Sequence, residues 1–188
     1  MGVLRVGLLG GSFNPAHDGH RAISLAALRA LNLDQVWWLV SPQNPLKPVK
    51  GMAGFAQRLA GARAVARHPR IRVSDLEARF GTRFTVDTVR RLGAQANRHR
   101  YVWLMGADNL LQLPRWQGWV EIMHRMPIAV LDRGTARPAL SGRIAQRFAR
   151  ARLDPLAARR IADHRPPAWC FLPIRRHPAS ATAIRAAH

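Results

Sequence analysis

The sequence predicts an α/β domain, doubly wound around a mostly parallel sheet. Three observations carry this. Short apolar runs of strand length recur along the chain, and stretches with helical spacing separate them. The first run closes on a glycine pair, Gly10–Gly11, as a strand feeding a ligand-binding turn does. A length of 188 residues fits one domain, residues 1–188, with a sizeable core.

Leu4–Leu9 reads as a buried parallel strand, and Arg21–Leu31 as a helix with Ile23, Leu25, Leu28 and Leu31 at helical spacing. Val36–Val40 is a second buried strand, which completes a right-handed βαβ unit. Ser41–Gly54, with three prolines, is a long loop, and loops of that length tend to be functional. A helix over Phe55–Arg67, a strand at Ile71–Val73, a helix over Thr85–Ala96 and a strand at Arg100–Met105 follow. Gly106–Leu113 and Trp116–Arg125 read as two short helices parted by Pro114, then Ile128–Leu131 as a strand. Asp132–Ser141 reads as a connector, the Arg- and Ala-rich stretch to Arg165 as helical, Trp169–Ile174 as the last strand and Ser180–Ala187 as a closing helix.

Lys and Arg total 30 against 10 Asp and Glu, a net charge of +20 that favours anionic partners. Only Lys47 and Lys50 are lysines, so the excess is arginine, a bias that genomic composition also produces. One cysteine, Cys170, excludes an intramolecular disulfide and fits a reducing compartment. No signal sequence and no apolar run of membrane-spanning length is visible, so the expectation is a cytoplasmic protein without a membrane partner.

Ligands in such sheets sit beyond the carboxyl ends of the strands. There the chain places Gly10-Gly11-Ser12-Phe13-Asn14-Pro15-Ala16-His17-Asp18-Gly19-His20. Gly10, Gly11 and Ser12 let backbone N–H groups approach a phosphate, and the helix that follows points its positive end at the same place. His17 and His20, three apart across a helix start, project the same way. Two imidazoles beside N–H donors suit charge developing on a phosphoryl group better than a metal site, which would want carboxylates. Ser180 and Thr182 stand at another helix start, with Arg185 on the same face offering a forked donor pair. Lys47 lies in the long loop, and Asp108 directly follows a strand, where a carboxylate accepts from ribose hydroxyls.

These blocks resemble the nucleotidylyltransferase superfamily, with its His-x-Gly-His signature, and within it the nicotinate-nucleotide adenylyltransferase family of bacterial NAD synthesis. Ser41-Pro42-Gln43-Asn44-Pro45-Leu46-Lys47-Pro48 is similar to that family's loop after the second strand. Phe84-Thr85-Val86-Asp87-Thr88-Val89 resembles its aromatic-Thr helix start, and Gly106-Ala107-Asp108 through Trp116 its Gly-x-Asp and Trp stretch. Ser180-Ala181-Thr182-Ala183-Ile184-Arg185 resembles its closing motif. Gln117 departs from the family, which often carries an aromatic there. The resemblance implies a Rossmann-like fold and adenylyl transfer from ATP to nicotinate mononucleotide, with Mg²⁺ carried on the triphosphate. It implies His17 and His20 on the reacting phosphates. Gly10, Gly11, Ser12, Lys47, Asp108, Ser180, Thr182 and Arg185 would hold ATP, and Thr85 and Trp116 the nicotinate side. Two alternatives remain at this point: another acceptor, such as nicotinamide mononucleotide or phosphopantetheine, and a basic RNA-binding module. For the second, Arg133–His188 has a net charge of +10 but no aromatic recognition motif, so specific nucleic-acid binding is not expected.

Overall fold

The computed structural model describes residues 2–42, 51–94, 99–132 and 136–174. In chain order the elements are β1 (Leu4–Gly11), α1 (Asp18–Ala30), β2 (Gln35–Val40), α2 (Phe55–Ala66) and β3 (Ile71–Ser74). Then come α3 (Leu76–Phe80), α4 (Thr85–Gly93), β4 (His99–Gly106), α5 (Ala107–Gln112), α6 (Trp119–Arg125) and β5 (Ile128–Asp132). The chain continues through α7 (Ala136–Ser141), α8 (Arg143–Arg147), α9 (Pro155–Ala158) and β6 (Trp169–Pro173). The six strands form one sheet in the order β3-β2-β1-β4-β5-β6, and every pairing is parallel. The direction of winding reverses between β1 and β4, which makes their carboxyl ends the switch point.

Strand alternation feeds two cores, one on each face of the sheet. Val6 and Leu8 of β1 join Tyr101, Trp103 and Met105 of β4 on the face covered by α4, α5, α6 and α8. Leu9, Val102 and Leu104 point the other way, against Ile23 and Ala27 of α1 and Ala62 and Ala66 of α2. Trp38 and Trp169 are wholly buried, and each ring N–H finds an acceptor: Ser24 Oγ for Trp38 and the Phe148 carbonyl for Trp169, both at 2.7 Å. That matters because a buried indole N–H left unpaired costs about 1–3 kcal/mol.

Several elements depart from the expectation. Gly10 and Gly11 are the last two residues of β1 rather than loop. A Cβ on Gly10 would sit 2.9 Å from the Trp103 ring, so this glycine makes room for an indole on the neighbouring strand. The connector over Asp132–Ser141 contains α7, and α3 is an additional short helix between β3 and α4. The Arg- and Ala-rich stretch is not one helix: Pro155, capped by Asp154, starts a fresh turn after Leu153 pairs with the Trp169 carbonyl. The closing helix over Ser180–Ala187 lies outside the described residues.

Trp116 does not open a helix. Pro114 sets a 3-10 turn over Leu113–Arg115, Trp116 is extended, and Gly118 is left-handed at φ 62° before α6 begins. A side chain at Gly118 would be strained by that φ and would meet Val86 of α4 at 2.8 Å. The Trp116–Gly118 turn thus packs directly on the start of α4. The Arg90 guanidinium of α4 ties the same two helices by pairing with Glu121 of α6, and together with Arg125 it holds that carboxyl down at about 2.

Candidate active site

A cleft of about 510 Å³ opens at the carboxyl ends of β1, β2 and β4. Its lining includes Gly10, Gly11 and Ser12 from the end of β1, together with Phe84, Thr85, Trp116 and Gln117. Trp103 also lines the cleft although it is only 2% exposed, and its ring packs against Gly10. Two arginines, Arg83 and Arg115, are also among the lining residues. Thr85 is the first residue of α4, whose leading N–H groups have no acceptor within the helix and face anions well.

Beyond Ser12 the chain turns through Phe13, at φ 48°, into a cap made of two histidines. Gly19 N–H donates to His17 Nδ1 at 3.1 Å, and His17 N–H donates to His20 Nδ1 at 3.2 Å. This is a capping box with imidazoles where Ser or Thr and Glu are usual. Its chemical consequence is a fixed tautomer. Each Nδ1 accepts, so each ring carries its proton on Nε2 and is a donor there. The ring centroids lie 3.9 Å apart, and the Phe13 ring packs 4.8 Å from His20 while stacking on Trp38 at 5.1 Å. His17 is buried and His20 half-buried, so both are held by packing as well as by the cap.

The cleft thus gathers Gly10, Gly11, Ser12, Thr85 and Trp116, with His17 and His20 at the adjoining helix start. Asp108 stands exposed in the first turn of α5, where Gly106 rather than Asp108 is the cap, and Asn109 and Gln112 line the cleft instead. Lys47, Ser180, Thr182 and Arg185 lie outside the described residues. Among the described residues, no group of three or more His, Cys, Asp and Glu side chains could hold a metal ion, and no helix is long and apolar enough to cross a membrane.

Sequence reasoning missed two side chains. Arg58 is almost wholly buried, and the spacing Arg58, Ala62, Ala66 on the inner stripe of α2 was the available signal. Glu77 gave no signal, since α3 is too short for periodicity to show. It is 7% exposed in the cleft lining, where Thr88 Oγ1 donates to its carboxylate at 3.3 Å and Ser41 also bonds it. Burial outweighs those bonds and pushes its carboxyl up to about 7. Unfolded chains ionise near 4.5 while the folded protein holds the proton up to about 7, so the folded state binds more protons in between. Stability from this group is therefore lost as pH rises through that window, on the order of 3 kcal/mol in all. Glu77→Gln should flatten the melting temperature across it and raise stability above pH 7; an unaltered profile would show that Glu77 is ionised throughout.

The family model described as cytidylyltransferase-like matches residues 8–187. A probable nicotinate-nucleotide adenylyltransferase of Bradyrhizobium sp. (strain ORS 278) is 51% identical over 97% of this chain and 95% of its own length. One of Parvibaculum lavamentivorans is 52% identical over 97% and 91%. Among solved structures, the Plasmodium falciparum nicotinic acid mononucleotide adenylyltransferase complexed with NaAD superposes with a TM-score of 0.71. It covers 97% of this chain and 83% of that one at 14% identity, a likeness of fold. The same enzyme complexed with APC gives 0.69. A switch-point cleft beside a two-histidine helix cap, in a chain half identical to these relatives along nearly its whole length, places the protein in the cytidylyltransferase-like family, among the nicotinate-nucleotide adenylyltransferases.

Proposed function

We infer that the protein joins ATP and nicotinate mononucleotide into deamido-NAD, releasing pyrophosphate, as a step of NAD biosynthesis. The observation that carries this reading is the cleft itself. It is lined both by the Gly10–Ser12 strand end, which leads into the paired imidazoles, and by the Thr85 helix start with Trp116. These two sets of residues suit the two halves of such a reaction.

The 5′-phosphate of the mononucleotide attacks the α-phosphorus of ATP in line. A new P–O bond forms there as the bond from that phosphorus to the bridging oxygen breaks, and pyrophosphate leaves with the electron pair. The attacking phosphate is already ionised at neutral pH, so no general base is required. The protein's part is alignment and stabilisation of charge. In this reading the Nε2–H donors of His17 and His20 meet the reacting phosphates, and Gly10, Gly11 and Ser12 supply N–H and hydroxyl donors. Lys47, Ser180, Thr182 and Arg185 hold the ATP phosphates, and Asp108 its ribose. Thr85 receives the nicotinate carboxylate, and the Trp116 indole suits a flat cationic pyridinium. Mg²⁺ enters with ATP as part of the substrate. The single domain does all of this, and we place it in the cytoplasm. There Cys170, whose thiol burial pushes up to about 12, stays reduced.

Pyrophosphate release from Mg·ATP by the purified protein tests the reaction. Release should depend on added nicotinate mononucleotide and match the deamido-NAD formed. Release without an acceptor, or none with it, would overturn the assignment.

A further inference from the structure

Arg58 is a buried cation with no counter-ion among the described residues. It is 4% exposed, and among the described residues no carboxylate pairs with it. Among the described residues, its guanidinium donates four hydrogen bonds, all to carbonyl oxygens. Nη1 donates to Ser12 at 2.7 Å and to Ser41 at 2.8 Å, Nη2 to Pro42 at 2.8 Å, and Nε to Ala53 at 3.0 Å. The Phe55 ring lies under the group at 5.6 Å. Burying an unpaired charge costs stability, and burial lowers this guanidinium's affinity for its proton. A neutral residue would hold a loop more cheaply, so the charge and the fork shape have a use beyond packing.

The acceptors say what that use is. Ser12 follows β1, Ser41 and Pro42 follow β2, and Ala53 leads into α2. One planar group thus fastens three separate backbone segments at the carboxyl end of the sheet. Asn14 reinforces the join, its side chain bonding the Gly51 carbonyl and the Ala53 N–H. The Ser12 carbonyl is also the peptide oxygen just before Phe13, a non-glycine residue held in the left-handed region at φ 48°, where a side chain is strained. The strained Phe13 places its ring against His20. A hold on the Ser12 carbonyl is therefore a hold on the residue that backs the histidine.

We propose that Arg58 is a positioning residue for phosphoryl chemistry in the cleft: it locks the β1 and β2 exit loops into one frame and, through Ser12 and Phe13, fixes the placement of His20. This rests on the adenylyl-transfer reading above. Its positive charge, not cancelled by a carboxylate, also adds to the field that draws phosphate to the Gly10–Ser12 loop. Lysine cannot replace it, because an ammonium offers donors from one point and the four carbonyls belong to three segments.

The test compares wild type with Arg58→Lys, His20→Ala and the double variant, alongside Phe13→Leu. Arg58→Lys should keep the wild-type circular dichroism spectrum and lose about 10–100-fold in kcat, with KM for nicotinate mononucleotide within about twofold. In the His20→Ala background the same change should cost less than about threefold, because the residue it positions is already gone. Equal losses in both backgrounds would overturn the proposal, as would unchanged kcat. Should Arg58→Lys not fold, Phe13→Leu tests the same link without touching α2: it too should lower kcat and be silent once His20 is alanine, and additive behaviour overturns the proposal. The ring ¹⁵N signals of His20 give a readout independent of turnover. They should shift in Arg58→Lys and in Phe13→Leu; a wild-type protein inactive on nicotinate mononucleotide would sink the assigned reaction, whereas unmoved His20 signals would sink the positioning role.

Discussion

Replacing either imidazole should lower kcat about 10²–10³-fold, the loss typical of one preorganised donor acting on transition-state charge. The capping role of the rings complicates the simple alanine variant. His17→Ala removes the acceptor for the Gly19 N–H and should also cost about 0.5–2 kcal/mol of stability. His17→Asn separates the two effects. Asparagine is a strong N-cap residue, so the helix start and the melting temperature should be nearly restored, while the Nε2–H donor is still absent. The expected result is therefore a well-folded protein that remains about 10²–10³-fold slow. Recovery of kcat in His17→Asn would reduce His17 to a cap and leave His20 alone on the reacting phosphates.

The second large effect is in acceptor choice: kcat/KM for nicotinate mononucleotide should exceed that for nicotinamide mononucleotide by roughly 10²-fold. The two differ by a carboxylate against a neutral amide. Thr85 starts α4, where N–H groups lacking helical acceptors and the positive helix end favour the anion. The amide would turn its own NH₂ toward some of those donors, and each one left unpaired costs about 1–3 kcal/mol. Arg83 and Arg115 in the lining act in the same direction. Gln117 opposes it, since a side-chain amide can flip to serve either ligand. Kinetics with the two mononucleotides decide the point. Equal values, or a preference for the amide, would remove the nicotinate assignment and leave adenylyl transfer standing.

The strands were legible because a parallel strand buried on both faces is a nearly continuous apolar run, and all six fell within a few residues of the expected bounds. The histidine pair was legible for a different reason: its spacing and position after a strand do not depend on tertiary detail. What the sequence hid depends on contacts between distant segments. Glu77 looks like any acid on a short helix until Thr88 and Ser41 close over it. The break at Trp116 depends on Gly118 sitting on Val86, and the close approach of Trp103 to Gly10 depends on which strand lies beside β1. Short helices such as α3 and α7 are too brief for a period of 3.6 to register.

The strand order also says when recognition can appear as the chain is made. Synthesis delivers β1, β2 and β3 first, and these adjoin one another, so the amino-terminal part can begin to collapse around α1 and α2. The β1 edge then stays open until β4 arrives from residue 99 onward. That edge is a hazard, because unpaired strand edges invite pairing with other chains. It is also a timing device. The cleft takes Gly10 to Ser12 from the first part and Trp103 and Trp116 from the second, so a nascent chain has no nucleotide pocket until the edge is sealed. The joint that protects the chain from aggregation is the same joint that brings it into service.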